Sequence, residues 1–152
     1  MTERVDLRDL TERQRRMYGD GERAVVAEQL VAEVFGARHA PDREDWFDVV
    51  DEDRATKFEV KSTSVRIGDD HPAPGRFRLW RAQIRSLIAS DAGATAWVAF
   101  VLFDEDQGTA TIQRRRPSTV WDVVAARGGW NDSGHAEWGK QHKLPYDDVL
   151  TR

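Results

Sequence analysis

The sequence predicts an α/β domain with a central mixed sheet of about four to five strands, flanked by helices on both faces. Three observations lead there. The stretch TAWVAFVLF, residues 95–103, is a near-continuous apolar run, the pattern of a strand covered on both faces. Two shorter stretches, Trp46–Val50 and Lys57–Ser62, flank the charged turn DEDRAT and read as an antiparallel hairpin. Two segments, Asp20 to Phe35 and Leu79 to Ser90, repeat their apolar residues at the helical period.

Taken in chain order, residues 1–19 form an Arg-rich, weakly amphipathic arm. In the first helix Ala24, Ala27, Leu30, Val31 and Val34 share one side, and Gly36 is placed to end it. Ala37–Ala40 is a short first strand, closed by the turn signal Pro41-Asp42. The hairpin follows. Residues 64–76 hold Gly68, Pro72, Pro74 and Gly75 and read as an irregular loop. The second helix buries Trp80, Ile84, Leu87 and Ile88. After the covered strand, GTATIQRRRP reads as a further strand stopped by Pro117, and Ser118 or Thr119 caps a third helix through Ala126. The resulting order is α-β-β-β-α-β-β-α. Residues 20–126 make the domain, and residues 127–152 are an extension packed on it.

At 152 residues the chain has the size of one ordinary domain. It contains no run of apolar residues long enough to span a membrane, and its charged N-terminus lacks the apolar centre of a signal peptide. The expected location is the cytoplasm, with no membrane contact. The absence of cysteine excludes disulfides and thiolate metal sites. The formal net charge is -4, and nineteen Arg stand against four Lys. An acidic total leaves nucleic-acid binding open, because the footprint needed is a local basic patch.

The segment WFDVVDEDRATKFEVKST carries the chemistry. Residues two apart on a strand share a face, so Glu59 and Lys61 project together while Phe58 and Val60 face the other way. Pairing through the turn brings Asp48 close to Glu59. Two carboxylates side by side repel unless a cation lies between them, and such a pair suits Mg²⁺, which needs only one or two carboxylates and keeps several waters. An adjacent lysine orients a water or stabilises charge on a phosphate. An E-x-K pair alone is common on a solvated strand face. The hairpin, the Asp eleven residues earlier and the flanking helices set this one apart.

In GERAVVAEQLVAEVFG, FDVV…FEVKS and RLWRAQIRSL…AWVAFVLF, the stretch from about Gly21 to Phe103 resembles the PD-(D/E)XK nuclease superfamily, and in size and order its archaeal Holliday-junction resolvases. The resemblance implies a restriction-endonuclease-like fold and hydrolysis of DNA with Mg²⁺ or Mn²⁺. It implies that Asp48 and Glu59 bind the metal, with the Val60 carbonyl as a further ligand, and that Lys61 is the catalytic lysine. Glu22 matches an acidic position in the first helix that approaches the metal, and Gln83 a glutamine near the site. Phe47 stands where the family name has proline, and Asp45 is a rival to Asp48.

Arginines supply the second signal. Arg78, Arg81 and Arg85 fall on one face of the second helix, opposite Trp80, Ile84 and Leu87, and Arg114, Arg115 and Arg116 cluster at a strand end. Both sets are expected to contact nucleic-acid phosphates. Trp46, Trp80 and Trp97 read as core residues, and His135 and His142 as surface histidines. The expected activity is a structure-specific endonuclease on branched or duplex DNA, acting as a homodimer because two symmetric cuts suit a two-fold protein. The alternatives are a restriction or repair nuclease acting with partners, and a catalytically silent module of the same fold.

Overall fold

The apolar run becomes the strand around which the other elements are arranged. In the computed structural model, residues 2–68, 73–134, 137 and 139–150 are described. The strands are β1 (Thr2–Asp6), β2 (Arg38–Glu44), β3 (Phe47–Asp51), β4 (Thr56–Ser64), β5 (Arg66–Ile67), β6 (Ala73–Pro74), β7 (Arg76–Trp80), β8 (Ala96–Asp104), β9 (Thr109–Arg115), β10 (Asn131–Asp132) and β11 (Lys140–Pro145). The helices are α1 (Glu12–Gly19), α2 (Arg23–Phe35), α3 (Arg81–Ser90) and α4 (Pro117–Ala126).

Six strands form the central sheet in the order β1-β9-β8-β4-β3-β2. Its neighbours are antiparallel except for β4 and β8, which run parallel from Lys57↔Ala96 to Ser64↔Phe103. A parallel pair needs a crossover connection, and α3 lies in it. Alternate residues of β8 enter two separate cores. Ala99, Val101 and Phe103 join Val26, Leu30 and Val31 of α2, while Val98, Phe100 and Leu102 join Ile84 and Leu87 of α3 and Val120 and Val124 of α4. The mixed α/β sheet with helices on both faces is the restriction-endonuclease-like architecture.

Several local expectations are corrected. The N-terminal segment supplies β1, paired antiparallel to β9, and α1, opened by a Thr11–Gln14 capping box. Helix α2 starts at Arg23 and buries Val26 and Ala32, leaving Ala24 exposed; Gly36 ends it in the left-handed region at φ 63°. Strand β2 runs through Pro41 and Asp42, which lie in a register shift between His39 and Glu44. Such an edge bulge tolerates proline because no ladder donor is required there. Residues 64–76 are not one loop, since β5 pairs with β6 and Arg76 already belongs to β7; Pro72 lies outside the described residues. The second helix begins at Arg81, not Leu79. RFRLW alternates exposed Arg76 and Arg78 with buried Phe77 and Leu79, and its partner β11 comes from the C-terminal segment. Ile88 is 38% exposed rather than buried. Helix α4 is capped at Arg116 with Pro117 inside its first turn, not at Ser118 or Thr119.

Gly75 is fixed by space. A Cβ there would stand 1.8 Å from the Ser64 carbonyl oxygen, so no other residue lets the chain cross the end of β4 this closely. His142 is buried, with Nδ1 2.8 Å from the Gly129 carbonyl, and is no surface histidine; His135 lies outside the described residues. Among the described residues no helix is long and apolar enough to cross a membrane.

Candidate active site

The hairpin of β3 and β4 keeps its ladder from Asp51↔Thr56 to Val49↔Phe58. One step further the strands part. Asp48, which continued pairing would set opposite Glu59, instead accepts a hydrogen bond from the Val60 N–H at Oδ2, 3.0 Å away. A side chain thereby takes the place of a backbone partner, and a fork opens on a carboxylate. Phe58 and Val60 pack in the α2-side core, so Glu59 and Lys61 turn toward α3. Lys61 Nζ donates to Gln83 Oε1 on α3 at 2.8 Å, and Gln83 Nε2 donates to the Asp45 carbonyl at 3.0 Å. That chain of bonds ties the β2–β3 turn, α3 and the lysine together.

Electrostatics single out the same place. Glu59 is 4% exposed; its Oε1 lies 3.3 Å from Lys61 Nζ, and its Oε2 is buried with no hydrogen-bond partner. Burial first, and then the nearby Asp48 and Glu28 carboxyls, push its pKa up to about 8 against the pull of Lys61. Burial also raises Asp48, opposed by the Val60 N–H, by Lys61 and by the Glu59 carboxyl, which can bond to Asp48 only when it carries a proton; ionised, its Oε2 has no donor. Glu28, from the middle of α2, is raised by burial and by Asp48, and its Oε1 is bonded to His39 Nε2 at 2.8 Å. Three acids with raised pKa values thus share one ammonium and one imidazole. An open cavity of about 610 Å³, lined by Pro41, Glu44, Asp45, Asp48, Trp80 and Gln83 among others, leads to Asp48.

These residues suit a divalent cation. The partnerless, buried Glu59 oxygen beside Asp48 is a donor that lacks a counter-charge, and oxygen donors are what Mg²⁺ and Mn²⁺ take. Among the described residues no group of three or more His, Asp or Glu side chains is placed to hold a metal ion. Mg²⁺ does not need one, since waters and substrate oxygens fill most of its positions.

Of the residues singled out in the sequence, the fold brings together Asp48, Glu59, Val60, Lys61 and Gln83. Glu22 lies apart: it is the exposed N-cap of α2 without a side-chain bond. It precedes Glu28 by six residues, about 9 Å of helix. Sequence reading passed over Glu28 and His39. The available signal was an acid at the margin of the α2 apolar face, beside Ala27 and Val31. The Asp45 side chain is exposed and only its carbonyl takes part.

The arginines do not form the expected helical stripe, because Arg78 belongs to β7, where it stacks on Trp80, while Arg81 and Arg85 are in α3. Arg115 is engaged with Gln113 Oε1 and the Val149 carbonyl. Arg114 and Arg116 both lie over Trp97. Trp80 is buried, and Trp46 and Trp97 are half-buried.

No curated protein matches the chain. The family model of the PD-(D/E)XK nuclease superfamily domain matches residues 13–151, a span that contains the fork, its three acids and its lysine. A match over nearly the whole chain decides membership: this protein belongs to the PD-(D/E)XK nuclease superfamily.

Proposed function

We propose that the chain is a metal-dependent DNA endonuclease that hydrolyses phosphodiester bonds in branched duplexes, as a Holliday-junction resolvase does, and that it works as a homodimer. The observation that carries the reading is Glu59: a buried carboxylate with one oxygen on a lysine and the other unpartnered, beside a second carboxylate. Asp48 and Glu59 would hold Mg²⁺ or Mn²⁺, with the Val60 carbonyl and Glu28 nearby. When bound, the ion supplies a more acidic water and offsets charge on the phosphate. Lys61 is held between Gln83 Oε1 and Glu59 Oε1, which fixes its ammonium where it orients the attacking water or stabilises developing negative charge. Asp48 is kept in place by the Val60 N–H, and His39 keeps Glu28 turned toward the fork.

The branched-DNA reading rests on the likeness of the stretch from Gly21 to Phe103, in size and element order, to junction resolvases. A dimer supplies two sites related by a two-fold axis, as paired cuts in a four-way junction require. The test is cleavage of labelled four-way junction, flap, linear duplex and single-stranded DNA with Mg²⁺, Mn²⁺, Ca²⁺ or EDTA. Cutting of the junction with Mg²⁺ and none in EDTA is expected. Equal cutting of linear duplex and junction overturns the structural preference, and cutting in EDTA overturns the metal dependence.

A further inference from the structure

On the α2 side of the sheet, at the turn end of the β3–β4 hairpin, lies a second cavity of about 350 Å³. Its walls include Phe35, Asp51, Arg54, Trp97, Arg114 and Arg116. Arg114 projects from β9 between two rings, its guanidinium carbon 4.3 Å from the centroid of Phe35 and 4.3 Å from that of Trp97. The guanidinium is therefore flanked by two aromatic rings, which leave its N–H donors free of acceptors on that side. A guanidinium has five such donors. Among the described residues none of those on Arg114 has a hydrogen-bond acceptor or an ion-pair partner.

Its neighbour makes this more costly. Arg116 lies over the same indole at 3.4 Å and spends Nη1 on the carbonyls of Ala94 and Ala96, with Asp91 Oδ1 3.5 Å away. Arg114 is left with the like charge of Arg116; burial first, and then that neighbour, pulls its pKa down. The acids nearby do not satisfy it. Asp51 accepts from the Arg54 backbone N–H at 3.4 Å and stands 3.9 Å from its Nε, Asp91 faces Arg116, and Glu3, on the neighbouring β1, attracts Arg114 without forming an ion pair with it. A purely structural arginine ends on carbonyls, as Arg115 and Arg116 do. Arg114 ends at a cavity, between two rings, with its donors unspent.

We infer that Arg114, clamped between Phe35 and Trp97 and backed by Arg116, is a seat for a backbone phosphate of DNA outside the catalytic fork. A phosphate suits a pre-set guanidinium fork, which binds two of its oxygens at once. Arg114 stands, through Ala99 of β8, level with Val60 of β4, two strands or about 10 Å across the sheet, and its side chain is on the face opposite Glu59. DNA touching both has to pass around an edge of the sheet. The inference rests on the reading of this chain as a DNA-acting nuclease, but it concerns binding, not cleavage.

Binding of labelled duplex and four-way junction, measured in Ca²⁺ across a salt series, tests it without chemistry. Arg114→Gln should weaken binding several-fold at low salt and make the slope of log affinity against log salt shallower by about 0.9, one phosphate contact on duplex DNA. Arg8→Gln removes the same charge from an exposed pair with Asp6 and should leave the slope unchanged. Arg114→Lys keeps the charge but loses the fork and should recover only part of the affinity. Thermal melting of each variant separates lost contact from lost fold, and Trp97→Phe, which keeps a ring under the guanidinium, should bind almost as wild type. An Arg114→Gln slope equal to that of Arg8→Gln overturns the seat, even if the enzyme cuts normally. Inorganic phosphate that protects wild-type protein against unfolding, but not Arg114→Gln, with DNA affinity unmoved, assigns the seat to a free anion and overturns the DNA assignment. Wild-type protein that binds no DNA overturns the inference together with the reading beneath it.

Discussion

Two sets of carboxylates in this chain meet opposite fates. On the surface Asp6 accepts three bonds from the Arg8 side chain, the shortest 2.7 Å, and its pKa falls to about 2. Glu52 sits 2.6 Å from both Arg38 and Arg43, which hold it below the usual carboxylate range. In the fork, Glu28, Asp48 and Glu59 all rise, with burial the leading cause in each. Surface acids have guanidinium groups at hand and water around them, so ionisation is easy and the pairs contribute little to stability. Fork acids have lost their water and outnumber their cations. A buried group in that state takes up a proton or a metal ion. The contrast teaches that charge pairing is plentiful on the described surface and incomplete in the fork, where, on the function proposed above, a divalent ion would supply the missing counter-charge.

The largest effect expected is on catalysis. Glu59→Ala removes the unpartnered oxygen, and Lys61→Ala removes the ammonium beside it; each should lower junction cleavage by at least about 10²–10³-fold. Glu52→Ala, which removes a well-paired surface acid, should cut as wild type does. Melting curves should show all three folded. Should Glu59→Ala retain full activity, the contrast between the two sets would carry no chemistry, and the active site would have to be sought elsewhere.

A smaller effect separates near neighbours within the acidic set. Asp48→Asn should weaken Mn²⁺ binding in calorimetric titration far more than Asp45→Asn, because Asp48 lies in the fork and the Asp45 side chain points to solvent. Glu28→Gln should cost about 10–100-fold in metal affinity or rate, the usual toll for a supporting group at a metal site, and Glu22→Gln nothing measurable. The opposite ranking in the second pair would return the helical acid to the start of α2, and the contribution of His39 would go with it.

Much of this was readable in the sequence, and what was missed has a physical reason. The hairpin, the covered strand and the shared face of Glu59 and Lys61 follow from period-two alternation and a short charged turn, which are local signals. Strand β7 was misread because Trp80, Ile84 and Leu87 carry helical spacing across its end, while its true partner β11 lies some sixty residues on. Residues 64–76 were read as a loop because proline and glycine are punctuation in a local view; Gly75 in fact answers to contact with Ser64. Glu28 was overlooked in favour of Glu22 because a helix angle shows which residues share a face. It does not show which turn of that face meets the end of a distant strand. The arginine triplet likewise split: neighbours on β9 alternate faces, and only the fold shows that Arg115 meets Val149 while Arg114 meets Phe35 and Trp97.

The smallest effect is on stability, and its sign tells the two sets apart. Glu59 has a folded pKa raised from 4.5 to about 8, so the folded state holds its proton more tightly than the unfolded chain does. Its favourable contribution is complete below pH 4.5, declines as pH rises toward about 8, and stays lost above that. In EDTA, wild-type melting temperature should therefore drop relative to Glu59→Gln across that window, and the variant should be the more stable protein at pH 9. Glu52 is lowered, so its contribution is present above the ordinary glutamate pKa and disappears as pH falls through the folded value. Glu52→Gln should melt slightly below wild type at neutral pH and equal to it in acid, the reverse trend. Adding Mg²⁺ at pH 8 should close the gap for Glu59→Gln by stabilising only the wild type, since binding at the fork replaces the proton with an ion. Parallel pH profiles for the two variants would mean that Glu59 is as well paired as Glu52, and that the fork needs no counter-charge at all.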